Sequence, residues 1–125
     1  MTTNYESKPI EKWTVRDFHT YMQAEHLRRF GVSYAPWRSW RTEQGLLGTL
    51  IGTQRKAGKY EKAVMRKFID RCFGGYRPTA QYPGISFGFM WTYMQREMQA
   101  VEAEAVREQR AEEQAEDYEG VAEWL

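Results

Sequence analysis

Two histidines, one cysteine and a glycine-bracketed basic segment are the parts of this chain that could do chemistry, and their spacing argues against most of it. His19 and His26 are seven residues apart, roughly 10.5 Å along the axis of a shared helix, too far to hold one metal ion. His26 also falls on an apolar stripe, where a core histidine satisfied by a hydrogen bond is expected. Cys72 lies on such a stripe with no histidine nearby, so it reads as an inert core thiol. As the only cysteine it excludes an internal disulfide and an all-cysteine metal site. The segment Gly52 to Tyr60 looks at first like a phosphate-binding loop. However, five residues separate Gly52 from Gly58 where that motif has four, and Tyr60 stands where a Ser or Thr must meet magnesium. The element before Gly52 reads as helix and not strand, so a flexible basic linker is expected there. Acids are plentiful only in the C-terminal segment, which has no fixed pocket to raise a carboxyl pKa. No catalytic residue, metal or cofactor is therefore expected, and the chain reads as a non-enzyme.

The stronger signal is electrostatic. Residues 97–125 carry ten Asp and Glu against Arg107 and Arg110, a net −8, whereas residues 1–96 carry 16 Lys and Arg against seven acids, a net +9. The overall +1 hides a dipolar molecule. The cations concentrate between Arg55 and Arg77, where Arg55, Lys56, Lys59, Lys62, Arg66, Lys67, Arg71 and Arg77 face only Glu61 and Asp70, a net +6 in 23 residues. On a helical wheel Lys59, Lys62, Arg66, Lys67 and Arg71 spread over the half opposite the apolar residues. Such a face suits phosphate contacts, because neutralising phosphates releases counterions and dominates affinity. These eight residues are the expected nucleic-acid contacts. Base-specific readout has less support, since Gln54 is the nearest amide side chain. A second pattern, Tyr34, Trp37 and Trp40 interleaved with Arg38 and Arg41, suits stacking on single strands and equally suits packing between helices.

The elements that must position these groups are helical. Thr14 and Asp17 form a weak capping box before a stripe of Val15, Phe18, Met22, His26 and Phe30, predicting a helix that ends at Gly31. Pro36 fits the first turn of a second helix carrying Trp40, Leu46, Leu47, Leu50 and Ile51 and stopping at Gly52. Its Gly45 and Gly48 suggest a face where another helix comes close. A third helix is expected from about Tyr60 to Phe73 with the stripe Val64, Met65, Phe68, Ile69, Cys72 and Phe73, ended by Gly74-Gly75. Residues 76–85 hold two prolines and read as a loop or short two-stranded ribbon. Ser86 then caps one long final helix, its apolar positions Phe87, Trp91, Met94, Met98 and Val101 fading into acids, with a break at Gly120. The fold class is all-α or winged-helix-like: a flexible N-terminus over 1–12, a helical nucleic-acid-binding domain over 13–105, and an acidic helical tail with an apolar tip over 106–125. Met1 to Lys8 lack an apolar run and no stretch of 18 apolar residues occurs, so neither export nor membrane insertion is expected and the cytoplasm is the natural compartment.

Three helices followed by a turn-rich segment resemble a helix-turn-helix with a wing. The C-terminus, in which Tyr118, Val121, Trp124 and Leu125 stand among Glu116, Asp117, Glu119 and Glu123, resembles the acidic, apolar-tipped tail by which single-stranded DNA-binding proteins recruit partners. That resemblance covers about ten residues and lacks the family's proline-containing ending. It implies a partner-binding role for Tyr118, Val121, Glu123, Trp124 and Leu125. The small helix-rich body is similar in style to phage- or plasmid-type replication and transcription accessory proteins. The expected function is a nucleic-acid-binding adaptor, with the third helix on DNA and the tail on a replication or transcription protein. The final helix also allows a homodimer. The competing readings are a protein-only effector that inhibits or loads a host polymerase or helicase, and a virion assembly component.

Overall fold

The computed structural model describes residues 5–123, with side chains as far as Asp117. Among these residues the protein is built from helices without a named strand, in the order α1 (Val15–Phe30), α2 (Trp40–Ile51), α3 (Lys62–Gly75), α4 (Phe87–Tyr93) and α5 (Gln95–Glu123). Two single 3-10 turns, Tyr5–Ser7 and Ile10–Lys12, precede α1. The segment expected to be a flexible N-terminus is thus built into the fold from Tyr5 onward. Trp13, 2% exposed, anchors it: its ring meets Tyr5 and Phe18 edge-on at 5.3 and 5.1 Å, and its indole N–H donates to the Tyr5 carbonyl at 3.1 Å.

The start of α1 is decided locally. The Asp17 N–H donates to Thr14 Oγ1 at 3.2 Å and the Thr14 N–H donates to Asp17 Oδ2 at 2.9 Å, a reciprocal cap that satisfies two orphan donors. Lys8 adds an ion pair to the same oxygen at 3.0 Å. Gly31, at φ 72°, ends the helix. The expected start of α2 at Pro36 is corrected to Trp40, because the chain turns sharply at Arg38 and Ser39 supplies the cap by accepting the Thr42 N–H at 3.1 Å. On α3 the expected stop before Gly74-Gly75 is also corrected. Helical bonding continues to the Tyr76 N–H, which donates to the Cys72 carbonyl at 3.0 Å.

Ser86 caps the next helix as expected, accepting the Phe89 N–H at 3.2 Å. The single long helix expected behind it is two. Met94 leaves helical geometry at φ −117° and ψ 35°, and α5 restarts from it. The apolar spacing runs straight across that break. No break occurs at Gly120 within α5, since one interior glycine costs only about 1 kcal/mol.

The core joins one face of each helix. Phe18 and Met22 of α1, Leu47 of α2, Met65, Phe68 and Ile69 of α3, and Phe87 and Met90 of α4 are fully buried, each contributing roughly 1.5–3 kcal/mol. Met98 and Val101 close the core from α5, and Glu97 ties that helix to α3 through Arg71 at 2.9 Å. From residue 102 to 117 every position is exposed. Of the two α2 glycines, only Gly48 has close neighbours, the Thr53 side chain just beyond α2 and the Val15 side chain of α1, while Gly45 faces open space.

Candidate nucleic-acid interface

The residues joining α2 to α3 form a tight loop and not a slack linker. Thr53 and Lys56 exchange backbone hydrogen bonds at 2.8 and 3.3 Å, and the Tyr60 N–H returns to the Leu50 carbonyl at 2.9 Å. Gly52 and Gly58 make this closure possible. A Cβ on Gly58 would lie 2.2 Å from the Ile51 carbonyl carbon, and Gly52 itself adopts φ 91°. With the backbone folded in on itself, every side chain from Thr53 to Lys59 is exposed.

This loop faces the second 3-10 turn and the start of α1 across a groove of about 830 Å³. Lys12 and Arg16 line one wall, Arg55 and Lys56 the other, and Lys62 stands at the end beside Glu11. Five cations against one carboxylate give the groove a net +4. The side chains of Lys12, Arg16, Arg55 and Lys56 are exposed and enter no ion pair among the described residues. Lys62 is half-buried, its ammonium donating to the Glu11 carbonyl at 3.3 Å.

The eight cations expected to contact nucleic acid therefore divide. Arg55, Lys56 and Lys62 share the groove, and Lys59, Lys67 and Arg77 are exposed outside its walls. Arg66 is engaged elsewhere: its guanidinium lies 4.9 and 4.8 Å from the Trp13 and Tyr21 ring centroids, near Asp70 at 3.9 Å. Arg71 is held by Glu97. Lys12 and Arg16 were missed by the sequence reading. They stand some 40 residues from the loop they face, and no local pattern links the two segments.

The centre of the fold holds a polar group that the sequence reading also missed. Glu43 is 0% exposed and sits on the α2 stripe, four residues before Leu47 and seven before Leu50. Its Oε1 accepts from His19 Nε2 at 3.1 Å and from the Tyr34 hydroxyl. Its Oε2 accepts from the backbone N–H of Trp37 at 2.8 Å and of Gly88 at 3.3 Å. Burial pushes this carboxyl up, but the donors from His19, Tyr34, Trp37 and Gly88 outweigh it and hold the group below the usual carboxylate range. Because a carboxylate only accepts, His19 donates from Nε2, and its Nδ1 is buried without a partner among the described residues. Tyr34 OH in turn accepts the Phe87 N–H at 2.8 Å, so two orphan donors at the start of α4 end in this cluster. Burial and the adjacent Glu43 charge raise the Tyr34 phenol far above its ordinary value.

The other groups singled out from sequence pack into the core. His26 donates from Nδ1 to the Val32 carbonyl at 2.9 Å and accepts the Ile85 N–H on Nε2 at 3.2 Å, so both ring nitrogens are used. Cys72 is fully buried, and burial followed by the nearby Glu97 charge pushes its thiol up. Among the described residues no cluster of His, Cys, Asp or Glu could hold a metal ion, and no helix is long and apolar enough to cross a membrane. Of the proposed stacking group, Tyr34 and Trp40 pack with His19 and only Trp37 keeps Arg38 beside it. The tail positions Tyr118, Val121 and Glu123 lie on α5, but their side chains, with Trp124 and Leu125, fall outside the described residues. No family model, curated protein or solved structure shows significant similarity to the chain.

Proposed function

We propose that the chain is a nucleic-acid-binding adaptor whose basic groove holds the phosphate backbone and whose acidic helix engages a protein. The observation that carries this reading is the convergence of Lys12, Arg16, Arg55, Lys56 and Lys62 on one cleft. Scattered surface cations are ordinary, but cations brought together without carboxylate partners raise the local potential and suit a polyanion. The order of three helices followed by an irregular segment is also the order of a helix-turn-helix with a wing. In this reading the α2–α3 loop does the phosphate work. The setting, phage- or plasmid-type replication or control of transcription, rests on the resemblance of the tail and of the small helix-rich body. The tail role rests on the exposure of residues 102–117 and on the acidic, apolar-tipped sequence that follows.

The test is fluorescence anisotropy on random-sequence DNA as salt is varied. About four neutralised phosphates give a slope of log affinity against log salt near −3.6. Replacing Lys12, Arg55 and Lys56 together by Glu changes only exposed, unpaired side chains, so helix content should persist while binding is lost. Undiminished binding by that folded variant overturns the groove. A wild-type chain without salt-dependent DNA affinity moves the function to a protein-only effector.

A further inference from the structure

A second concavity lies between the loop before α2 and the start of α4, enclosing about 460 Å³. Pro36, Trp37, Pro83, Ile85 and Phe89 contribute to its walls, and among the described residues the only charged side chain on them is Arg38. His26, Ser33 and Ser86 also line it, and mostly apolar walls with a few polar groups are the usual make-up of a small-ligand site. Arg38 is the one described non-glycine residue with positive φ, at 65°. The Ser39 N–H donates back to the Trp37 carbonyl at 2.8 Å, so Arg38 is the apex of a γ-turn of the strained, positive-φ kind. Such strain persists only where the surroundings enforce it, and the Trp37 flank is held at both its backbone and its ring. Glu43 holds the Trp37 N–H, and the Trp37 side chain fills the space over Gly88, where a Cβ would come within 2.4 Å of it. The result is a guanidinium stacked 4.3 Å from the Trp37 ring, in no ion pair among the described residues, at the edge of an apolar pocket. Beyond the pocket the aromatic surface continues. Phe89 is 36% and Tyr93 71% exposed, with their rings 5.0 Å apart.

From this arrangement we infer that the pocket takes an unpaired nucleobase of a single-stranded nucleic acid. The base stacks on the exposed aromatic surface at Phe89, and Arg38, backed by the Trp37 ring, meets the adjoining phosphate. An aromatic platform with an adjacent cation and no carboxylate matches what single strands require and has no use for a duplex, whose bases are already stacked. The inference rests on nucleic acid being the partner, but it concerns a site separate from the groove.

The probe is a short single strand carrying one internal 2-aminopurine, whose fluorescence is quenched on stacking. It is compared with its duplex and with the same sequence as RNA. The wild-type chain is expected to quench the single strand and not the duplex, and the more strongly quenched polymer, DNA or RNA, is the pocket's source. R38G should leave thermal stability equal or higher, because glycine accepts the positive φ without strain. It should weaken single-strand binding about tenfold and abolish quenching, as should F89A, the loss expected of one stacked base. Groove-dependent duplex binding should be unchanged in both. Full quenching in R38G and F89A overturns the pocket, as does an unquenched probe in a salt-sensitive complex, and the groove then stands alone. If the chain forms no complex with either polymer, the groove reading fails, and 2-aminopurine deoxyribonucleoside monophosphate tests the pocket by itself. Unchanged fluorescence of that nucleotide overturns it.

Discussion

Replacing Glu43 should damage this fold more than any other single polar substitution. In Glu43→Ala, His19 Nε2–H, the Tyr34 hydroxyl, the Trp37 N–H and the Gly88 N–H all lose their acceptor inside the core. Each orphaned buried donor costs roughly 1–3 kcal/mol. These costs do not add in full, because water can enter the space left behind, and breaking a buried charge cluster by removing one member typically costs about 3–5 kcal/mol. A chain of this length has a total stability of about 6–19 kcal/mol, so a loss near 4 kcal/mol lowers the melting temperature by roughly 15 °C. Glu43→Gln separates charge from shape. Either orientation of the amide leaves one carbonyl oxygen for one pair of donors and turns an NH2 toward the other pair, so about half the loss is expected. Proton linkage adds a signature. The native Glu43 carboxyl titrates below its unfolded value, so its contribution is present above the usual carboxylate range and is lost as pH falls through the lowered native value. Urea denaturation of wild type and Glu43→Gln from pH 7 to 3 should therefore converge at the acid end. A Gln variant melting within two or three degrees of wild type, with a parallel pH profile, would refute a dry, four-donor carboxylate.

Four further outcomes follow from the same geometry. Gly58→Ala should destabilise by more than about 3 kcal/mol in chemical denaturation and disturb the groove loop, because its Cβ meets backbone and not a movable side chain. Cys72 should resist thiol reagents in the native protein and react at the rate of global unfolding, measured by mass spectrometry of labelled protein, since the thiol is buried and its ionisation is pushed up. Tyr21, held by Asp70 and raised to about 12 by burial and that hydrogen bond, should lend stability that is lost as pH rises from about 10 toward 12, visible as alkaline unfolding. Glu104, Glu108, Glu112 and Glu116 repeat every four residues on α5, and each like-charge step costs roughly 0.2–0.5 kcal/mol. Glu108→Lys with Glu116→Lys makes all three steps attractive and should raise helicity at 222 nm.

What could be read from the sequence follows the range of the forces involved. The Thr14–Asp17 box, the Ser86 cap and the apolar stripes of α1 and α3 depend on neighbours within a turn or two, and they stand as the spacing implied. The break at Met94 was not legible, because Met94 continues the apolar spacing and packs against the core as that spacing implies. Cations were legible as charge but not as available charge. Arg66 and Arg71 meet Trp13 and Glu97, each far away along the chain, and nothing beside them signals it. Glu43 left one usable trace, a carboxylate on an apolar stripe. Its partners His19 and Gly88 lie 24 and 45 residues away, so the trace could not be completed without the fold. The charge split between body and tail survives as a spatial one, since the acidic residues from 102 to 117 stand out on exposed helix.

That helix also sets a distance. Residues 102–123 continue α5 without interruption past Val101, its last buried residue among those with described side chains, and at 1.5 Å per residue they span about 33 Å. If the tail holds a protein as proposed, an arm of this length keeps that protein about one turn of duplex away from the body. Two partners could then occupy the protein at once without touching, their separation measured out by a helix.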